Sequence, residues 1–339
     1  MTGRLRDRLE RFLEALWEGR APLAFALLAL PLGLASLATR ALSRPRRRRI
    51  RAKPALPVVS VGNLRVGGTG KTQVALELCR RAESGALAPA VVLRGYGGTE
   101  PGPARVEAPD AARFGDEAVL LARRLPETLV IVSRDRRAGV DLARALGARW
   151  AVLDDGRQQR ALEPTREVLV LPAESPWGNG WLLPLGPLRE PRTSLDGREV
   201  LWLHGEGDAA LEAPIRSRSR AVGFVPAGDL SAAPWPLPVG PVAAFAGIAR
   251  PGRFFDSLER AGAVLVARWP LADHRVYGAD ELRRAAEHAG RAGATCLVCT
   301  EKDAVRLPRE LALPLPIYAL RVELAIERGG AAIESLLEI

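Results

Sequence analysis

The stretch PVVSVGNLRVGGTGKT, residues 57–72, decides the fold of this chain. The apolar run at 58–61 predicts a buried strand, Gly67-Gly68-Thr69-Gly70 predicts a tight loop, and Lys71-Thr72 opens a helix. Glycines let successive backbone N–H groups turn toward one anion, and the new helix adds its positive N-terminal end. A strand, a glycine loop and a Lys-Thr pair in this order therefore predict a nucleotide-binding phosphate loop.

Two side chains of this loop carry the expected chemistry. Lys71 is expected to contact the β- and γ-phosphates of a nucleotide, and the Thr72 hydroxyl is expected to bind Mg²⁺. The full pattern has its first glycine six residues before the lysine, where this chain has Arg65, so the loop is a variant. The alternative interpretation is a glycine-rich surface turn that binds nothing.

Length and composition limit the possible architectures. With 339 residues, 47% of them hydrophobic, the chain can form two domains or one large one. Its three cysteines, residues 79, 296 and 299, provide no even disulfide framework, so a reducing compartment is expected. Cys296 and Cys299 form a C-x-x-C, but it lies in the apolar run TCLVC, which favours a buried strand over a metal or redox site.

The positive charge of the chain is local. The net charge is +10, and the segment 40–53 holds eight Lys or Arg residues and no acid, which leaves about +2 for the remainder. A basic surface for nucleic acid is therefore not indicated, and no nucleic-acid partner is expected.

The N-terminal segment suggests contact with a membrane. Residues 2–20 have helical apolar spacing, and residues 21–39 run about 19 positions without a charge, which is near the length that spans a bilayer. A cleaved signal peptide is disfavoured by the acids at its start and the arginines that follow. A buried helical hairpin remains an alternative. We expect a membrane-associated helix, spanning or interfacial, with the arginines against anionic headgroups on the cytoplasmic side.

From residue 56 onward, apolar runs alternate with helical patterns. Strands are predicted at 58–61, 90–94, 128–133, 150–153, 167–171, 242–246, 263–268, 295–299 and 316–321. Helices are predicted at 71–82, 116–124, 136–146, 251–261, 279–291 and 302–306. The alternation predicts an α/β fold in which a phosphate-loop domain with a parallel sheet precedes a smaller α/β domain. The expected boundaries are 1–53 for the membrane-associated segment, 54–199 for the first domain and 200–339 for the second.

Acidic side chains at two places are candidates for catalysis. Asp116 and Glu117 begin a predicted helix, where they are candidates for a general base or a second magnesium ligand, although acids also favour helix N-termini for electrostatic reasons alone. Asp154 and Asp155 follow a predicted strand and suit Mg²⁺ or water positioning, although Asp-Gly is also a common turn. His274 is one of only three histidines, and a single histidine is more often structural.

Eight stretches together resemble the tetraacyldisaccharide 4′-kinases of lipid A biosynthesis. The resemblance covers most of the chain, from about residue 57 to 307, and the motifs are specific because all of them occur in this order. They are SVGNLRVGGTGKT (60–72), LRGYG (93–97), GDEAVLLA (115–122), LDDG (153–156), GNGWLLPLGPLREP (178–191), AFAGIARPGRFF (244–255), ADH (272–274) and TEKDAVRL (300–307).

The resemblance implies a reaction and roles for residues. The γ-phosphate of ATP, with Mg²⁺, would pass to the 4′-hydroxyl of a tetraacylated glucosamine disaccharide 1-phosphate to give lipid IVA. Asp116 matches the proposed catalytic base of the family and His274 matches its partner. Membrane association and a monomer are expected with it. The residues expected to line the site are Asp154, Asp155, Asn179, Arg189 and Glu190.

One segment departs from the family pattern, and it leaves rival interpretations open. Arg157-Gln158-Gln159 stands where the family usually has Phe-Gln-His, and Pro164-Thr165 replaces an Arg-Asp pair. A non-catalytic relative is therefore one alternative. A phosphate-loop GTPase of the assembly type is another, although the chain lacks the usual guanine-reading Asn/Thr-Lys-x-Asp sequence. A third is a membrane-bound ATPase that positions or assembles other proteins.

Overall fold

The computed structural model describes the chain except for residues 1–8, 10–11, 44–51, 108–109, 159–161, 237–239, 249–250, 274, 309–310 and 339. The described helices are α1 (Pro22–Ser43), α2 (Lys71–Ser84), α3 (Ala111–Phe114), α4 (Asp116–Arg124), α5 (Arg136–Ala145), α6 (Pro251–Arg260), α7 (Ala279–Arg291), α8 (Glu301–Ala304) and α9 (Gly330–Leu337). The strands are β1 (Val58–Gly62), β2 (Pro89–Leu93), β3 (Ala104–Arg105), β4 (Leu129–Val132), β5 (Trp150–Asp154), β6 (Arg166–Pro172), β7 (Val200–His204), β8 (Ile215–Pro226), β9 (Val242–Ala246), β10 (Leu265–Pro270), β11 (Cys296–Thr300) and β12 (Ile317–Arg328).

The chain divides into two compact units that interleave along the sequence. The first unit comprises Met1–Arg94, Asp135–Arg218 and Leu324–Ile339, and the second comprises Gly95–Arg134 and Ser219–Glu323. Both boundaries on the C-terminal side fall within long strands, β8 and β12. The domain boundaries expected from the sequence stay a prediction.

The first unit contains a parallel sheet with β1 at its centre. Its strand order is β7-β6-β1-β5-β2, and every pair is parallel. All five residues of β1 are buried, as the continuous apolar run indicates. The chain leaves β1 through α2, skips one position to β2, returns to β5 and later adds β6 on the other side. This reversal beside β1 makes the carboxyl end of that strand the expected ligand position of the sheet.

The second unit contains a second set of parallel strands. Its order is β10-β9-β11-β12, and the helices α6 and α7 contact it. An apolar core lies between α6 and the strands, with Phe254, Phe255 and Leu258 packed near Val242 and Val298. The short β3 pairs antiparallel with β4 in the same unit. Helix α4 contacts α8 there, which brings the segment after residue 115 beside the segment after residue 300.

The predicted α/β class is confirmed, and nearly all predicted elements are present within a few residues. Five elements were not predicted: β7, β8, α9, and the short α3 and β3. The segment predicted to be irregular, 172–199, is irregular after Pro172, which ends β6, apart from one turn of 3-10 helix at Arg192–Ser194. Cys296 and Cys299 are free and buried on β11.

The N-terminal region forms a helical turn at 12–17, a turn at 18–19 and then α1. One face of α1 contacts the segment 182–185 of the first unit, where the buried Ser36 donates a hydrogen bond to the carbonyl of Leu182 at 2.8 Å. The indole of Trp17 donates to the carbonyl of Pro184 at 3.0 Å. The opposite face is exposed and consists of Leu23, Leu27, Leu30, Leu34 and Leu37. Among the described residues, α1 is the one helix whose length and composition suit a membrane.

Candidate active site

The phosphate loop lies between the carboxyl end of β1 and the first residue of α2. Gly67 and Gly70 have φ of +107° and +89°, a backbone conformation that favours glycine. Gly70 is the N-cap of α2 and supplies no side-chain cap to the first-turn N–H groups. These N–H groups and the positive end of the helix are the features that bind phosphate. Asn63 is fully buried, and its amide donates to the Thr69 hydroxyl at 3.1 Å, which braces the loop.

The two aspartates after β5 contact the two polar residues that open α2. The Thr72 hydroxyl donates to Oδ2 of Asp154 at 3.0 Å, and Nζ of Lys71 lies 3.5 Å from Oδ1 of Asp155. The contacts follow from topology, because β5 is the parallel neighbour of β1 and both strands end at the same edge. A hydroxyl and a carboxylate are the kind of oxygen ligands that Mg²⁺ accepts from a protein alongside substrate phosphates, so this pair fits the predicted ion.

Arginines surround this pair of aspartates. The buried Arg136 donates to the backbone carbonyl of Asp154 at 2.9 Å. Burial lowers the pKa of Arg136 to about 10, while the charges of Asp154 and Asp155 act in the opposite direction. Nη1 of Arg189 lies 3.7 Å from Asp155, which itself has φ of +53°. The predicted site residue Arg189 is thus beside the predicted site residue Asp155.

A histidine that the sequence analysis did not select packs against the loop. His204 ends β7, and a Cβ added at Gly70 would overlap its ring. Ser217 on β8 orients this ring, because its hydroxyl lies 3.1 Å from Nδ1 of His204 and accepts a hydrogen bond from Trp202 at 2.8 Å. Burial lowers the pKa of His204 to about 4, so the imidazole is neutral near pH 7. The loop backbone therefore fits against a fixed, uncharged ring.

The residue that departs from the family pattern, Arg157, forms a buried cluster with three carboxylates. Its guanidinium lies 2.8 Å from Glu167, 3.1 Å from Glu199 and 3.7 Å from Glu190. Burial would lower the pKa of Arg157, but the neighbouring carboxylates raise it. Glu190 was predicted to line the site, and the structure gives it this contact. The side-chain amide of Gln158 donates to the carbonyl of Asn63, which lies just before the phosphate loop, at 3.0 Å. Gln159 lies outside the described residues.

Two further side chains of the first unit, Arg65 and Asn179, contact the segment that precedes α1. Arg65 stands where the standard loop has its first glycine, and it contacts Glu18 and the carbonyl of Ser175. The side-chain amide of Asn179 donates to the carbonyls of Leu16 at 3.3 Å and Leu185 at 3.0 Å. Both side chains therefore hold the segment before α1 in place, and the role of Asn179 in lining the site stays a prediction.

In the second unit, the predicted base is held by an arginine. Asp116 is the first residue of α4, after Gly115 with φ of +87°. Nε of Arg306 donates to Oδ2 of Asp116 at 2.8 Å, and Nη1 of Arg306 donates to the carbonyl of Gly247 at 2.8 Å. Asp303 lies 3.4 Å from the same Nη1 and also accepts from the backbone N–H of Gly247 at 3.0 Å.

The neighbour of the base also has a cationic partner. Nζ of Lys302 lies 2.8 Å from Oε1 of Glu117. The prediction that Glu117 binds magnesium stays a prediction, as does the pairing of Asp116 with His274, because His274 lies outside the described residues. Within the described part of the chain, no group of three or more His, Cys, Asp or Glu side chains is arranged to hold a metal ion by itself.

Comparisons with known proteins identify the family. The family model for LpxK, described as tetraacyldisaccharide-1-P 4′-kinase, matches residues 23–339. The chain belongs to this family. A tetraacyldisaccharide 4′-kinase of Anaeromyxobacter dehalogenans is 39% identical, and the alignment covers 96% of this chain and 94% of the relative. One of Methylobacterium radiotolerans is 41% identical, with 89% of this chain and 90% of the relative covered.

A solved structure supports the fold. LpxK of Aquifex aeolicus, described as an "apo" form in complex with ATP, has a TM-score of 0.76, and the match covers 93% of this chain and 98% of that chain. At 24% identity this similarity bears on the fold alone. The predicted family, fold class and kinase activity are thus confirmed, and they are favoured over an assembly ATPase or GTPase.

Proposed function

We propose that the chain transfers the γ-phosphate of ATP to the 4′-hydroxyl of a tetraacylated glucosamine disaccharide 1-phosphate, giving lipid IVA. The observation that carries the proposal is the loop of Gly70, Lys71 and Thr72 against Asp154 and Asp155, in a member of the LpxK family. Its positive helix end, ammonium group and N–H groups suit a nucleotide triphosphate.

The first unit supplies the groups that hold the phosphates. Lys71 would neutralise charge on the β- and γ-phosphates, and its ammonium lies 3.5 Å from Oδ1 of Asp155. Thr72 and Asp154 are the residues that would hold Mg²⁺, which when bound neutralises charge on the phosphate oxygens. Arg189, which lies beside Asp155, adds a second positive charge to this edge of the sheet.

The second unit supplies the base. A sugar hydroxyl is a poor nucleophile near neutral pH, so a carboxylate must accept its proton as the oxygen attacks phosphorus. Asp116 is the candidate for that role, and Arg306 holds its Oδ2 in a defined position. The predicted partnership of Asp116 with His274 remains part of the proposal.

The proposed place of action is the cytoplasmic face of the inner membrane, with α1 lying in the interface. The acyl chains of the substrate are costly to remove from a bilayer, at roughly 0.8 kcal/mol per CH₂. Ser36, near the middle of α1, donates a hydrogen bond to the carbonyl of Leu182 in the first unit. If α1 spanned the membrane and kept this contact, Leu182 would also have to lie inside the bilayer. The five exposed leucines on the opposite face are suited to interfacial binding. A monomer suffices for this proposal.

The test is a direct transfer assay. The purified chain is mixed with γ-labelled ATP, Mg²⁺ and the tetraacyl disaccharide 1-phosphate in detergent, with Asp116→Ala and Lys71→Ala as controls. We expect label in a bis-phosphorylated lipid with the wild type and a loss of at least a hundredfold in both variants, on the order of what base and phosphate contacts contribute. Steady ATP hydrolysis without labelled lipid would contradict the proposal.

A further inference from the structure

Arg306 is a buried cation whose hydrogen bonds all lie within the second unit. Its side chain is 3% exposed, and its nearest carboxylate is Asp116, at 2.8 Å from Nε. The bond to the carbonyl of Gly247 fixes the far end of the guanidinium, and the adjacent Asp303 limits its rotation. Asp303 is itself held by Tyr277, whose hydroxyl donates to it at 2.7 Å, and by Thr300 at 2.6 Å.

One nitrogen of the Arg306 guanidinium, Nη2, is buried and makes no hydrogen bond to any described residue. In an arginine, Nε and Nη2 lie on the same edge of the planar fork, which is the edge that faces Asp116 here. A buried donor without an acceptor reduces the stability of the fold by roughly 1–3 kcal/mol. Because Nη2 lies on the edge that faces Asp116, this cost points to a place where an oxygen atom binds rather than to a side chain that only supports the fold.

We propose that Arg306 is a positioning residue for Asp116 in the phosphoryl transfer. The inference rests on the proposed function, in which the 4′-hydroxyl loses its proton to Asp116, its oxygen bonds to the γ-phosphorus, and the bond from that phosphorus to the β-phosphate oxygen breaks. Arg306 holds Oδ2 of the carboxylate so that the base meets the hydroxyl in one orientation. A misplacement of about 1 Å can reduce turnover by roughly a hundredfold.

The same unit provides a matched control for a structural role. Arg321 is also buried, and its Nε donates to Glu301 at 2.8 Å rather than to Asp116. Arg124 completes that cluster from α4, with its Nη1 3.2 Å from Glu301. Loss of Arg321 should therefore destabilise the fold as much as loss of Arg306 does. It should not change the position of Asp116.

The experiment compares Arg306→Ala, Arg306→Lys and Arg321→Ala in the transfer assay, with millimolar guanidinium chloride added as a chemical replacement for the lost group. For Arg306→Ala we expect kcat to fall by about ten- to a hundredfold, with the KM for ATP changed by less than about threefold. Guanidinium should restore part of that kcat but should restore nothing in Arg321→Ala or Asp116→Ala. Arg306→Lys keeps the charge and loses the fork, so its kcat should lie between those of the wild type and Arg306→Ala.

The outcomes separate the two proposals. If Asp116→Ala retains near-normal transfer, Asp116 is not the base and the proposed mechanism fails. If Asp116→Ala is inactive and a folded Arg306→Ala has normal kcat, or loses activity without any rescue by guanidinium, the positioning role alone is overturned. If Arg306→Ala does not fold, Arg306→Lys decides, because a normal kcat in that folded variant would contradict a requirement for the fork.

Discussion

The hydroxyl of Thr72 donates a hydrogen bond to Oδ2 of Asp154 across 3.0 Å, although the two residues are 82 positions apart. The contact exists because β1 and β5 are parallel neighbours, so the loop after one strand meets the residues after the other. It places a neutral oxygen and a carboxylate oxygen together next to the phosphate loop.

Thr72→Val should weaken the binding of the Mg²⁺ that transfer requires, without unfolding the chain. The substitution keeps the shape of the side chain and removes the oxygen, so we expect activity at limiting Mg²⁺ to fall by about 10- to 100-fold. Thr72→Ser keeps the hydroxyl and should retain most of the activity. Titration of Mg²⁺ at saturating ATP checks the prediction, and equal half-saturation in all three proteins would remove Thr72 from the magnesium site.

Three glycines of the phosphate loop should tolerate alanine very differently. Gly68 has no positive φ and open space around it, so Gly68→Ala should be mild. Gly67 has open space but φ of +107°, so Gly67→Ala should cost backbone strain of about 1–3 kcal/mol. Gly70 combines a positive φ with the ring of His204, so Gly70→Ala should be the most damaging.

Nucleotide affinity measured by calorimetry should rank the variants in that order. The double variant Gly70→Ala with His204→Ala should recover the part of the loss that comes from steric overlap, and the strain should remain. Equal affinities for Gly68→Ala and Gly70→Ala would show that the loop backbone moves away from His204 when nucleotide binds.

His204 should make the stability of the chain depend on pH. Burial lowers its pKa to about 4, whereas an unfolded histidine has a pKa near 6.5, so the unfolded state binds the proton first as pH falls. The stabilising effect of the neutral ring is therefore complete above about pH 6.5 and is lost progressively as pH falls toward 4. The expected loss is on the order of 3 kcal/mol.

Thermal melting of the wild type, His204→Gln and His288→Gln between pH 7.5 and 4.5 checks this. The difference in melting temperature between the wild type and His204→Gln should shrink or reverse toward low pH. His288 is exposed on α7, so its variant should follow the wild type throughout. Parallel curves for the wild type and His204→Gln would contradict a buried neutral imidazole.

The sequence allowed the local elements to be predicted better than the contacts between them. β1, α2 and α4 were predictable because each has an apolar period that is visible within about ten residues. β8 was missed because its sequence IRSRSRAVGFVP starts with alternating arginine and serine, which resembles a solvated segment. β7 follows a stretch rich in proline and glycine, which masked its short apolar run.

In the candidate site, too, contacts between distant residues were harder to predict than the elements that carry them. Lys71, Thr72, Asp154 and Asp155 could be grouped from the sequence because strands that end at one sheet edge bring their following residues together. Arg306 belongs to the motif TEKDAVRL, yet its contact with Asp116 joins residues 190 positions apart, and no local pattern encodes it. His204 was one of three histidines, and that rarity was the only available signal.

Arg157→Phe should destabilise the first unit, although the family resemblance found in the sequence implies phenylalanine at this position. The substitution removes a buried cation and leaves Glu167, Glu190 and Glu199 close together, so we expect a loss of about 3–5 kcal/mol. Urea unfolding followed by tryptophan fluorescence measures the loss. The control is Arg137→Leu, which removes an exposed arginine 3.9 Å from Asp141 and should change stability by less than about 0.5 kcal/mol.

A double substitution on the exposed face of α1 should release the protein from membranes. Leu27 and Leu30 are 81% and 76% exposed, and each apolar side chain that enters the interface contributes roughly 1.5–3 kcal/mol. Leu27→Glu with Leu30→Glu should therefore lower binding to anionic phospholipid vesicles by at least about a hundredfold. The matched control is Leu146→Glu, which changes a leucine that is 43% exposed at the end of α5 and should leave vesicle binding unchanged.

Extraction of the wild type from vesicles with alkaline carbonate distinguishes an interfacial helix from a spanning one. Because Ser36 ties the middle of α1 to the first unit, we expect alkaline carbonate to release the protein from vesicles, as it releases peripheral proteins. Retention after carbonate would mean that α1 leaves its contact with Leu182 and crosses the bilayer. Equal vesicle binding by the wild type and the double glutamate variant would instead exclude the leucine face as the attachment surface, and the basic segment at 44–53 would become the next candidate.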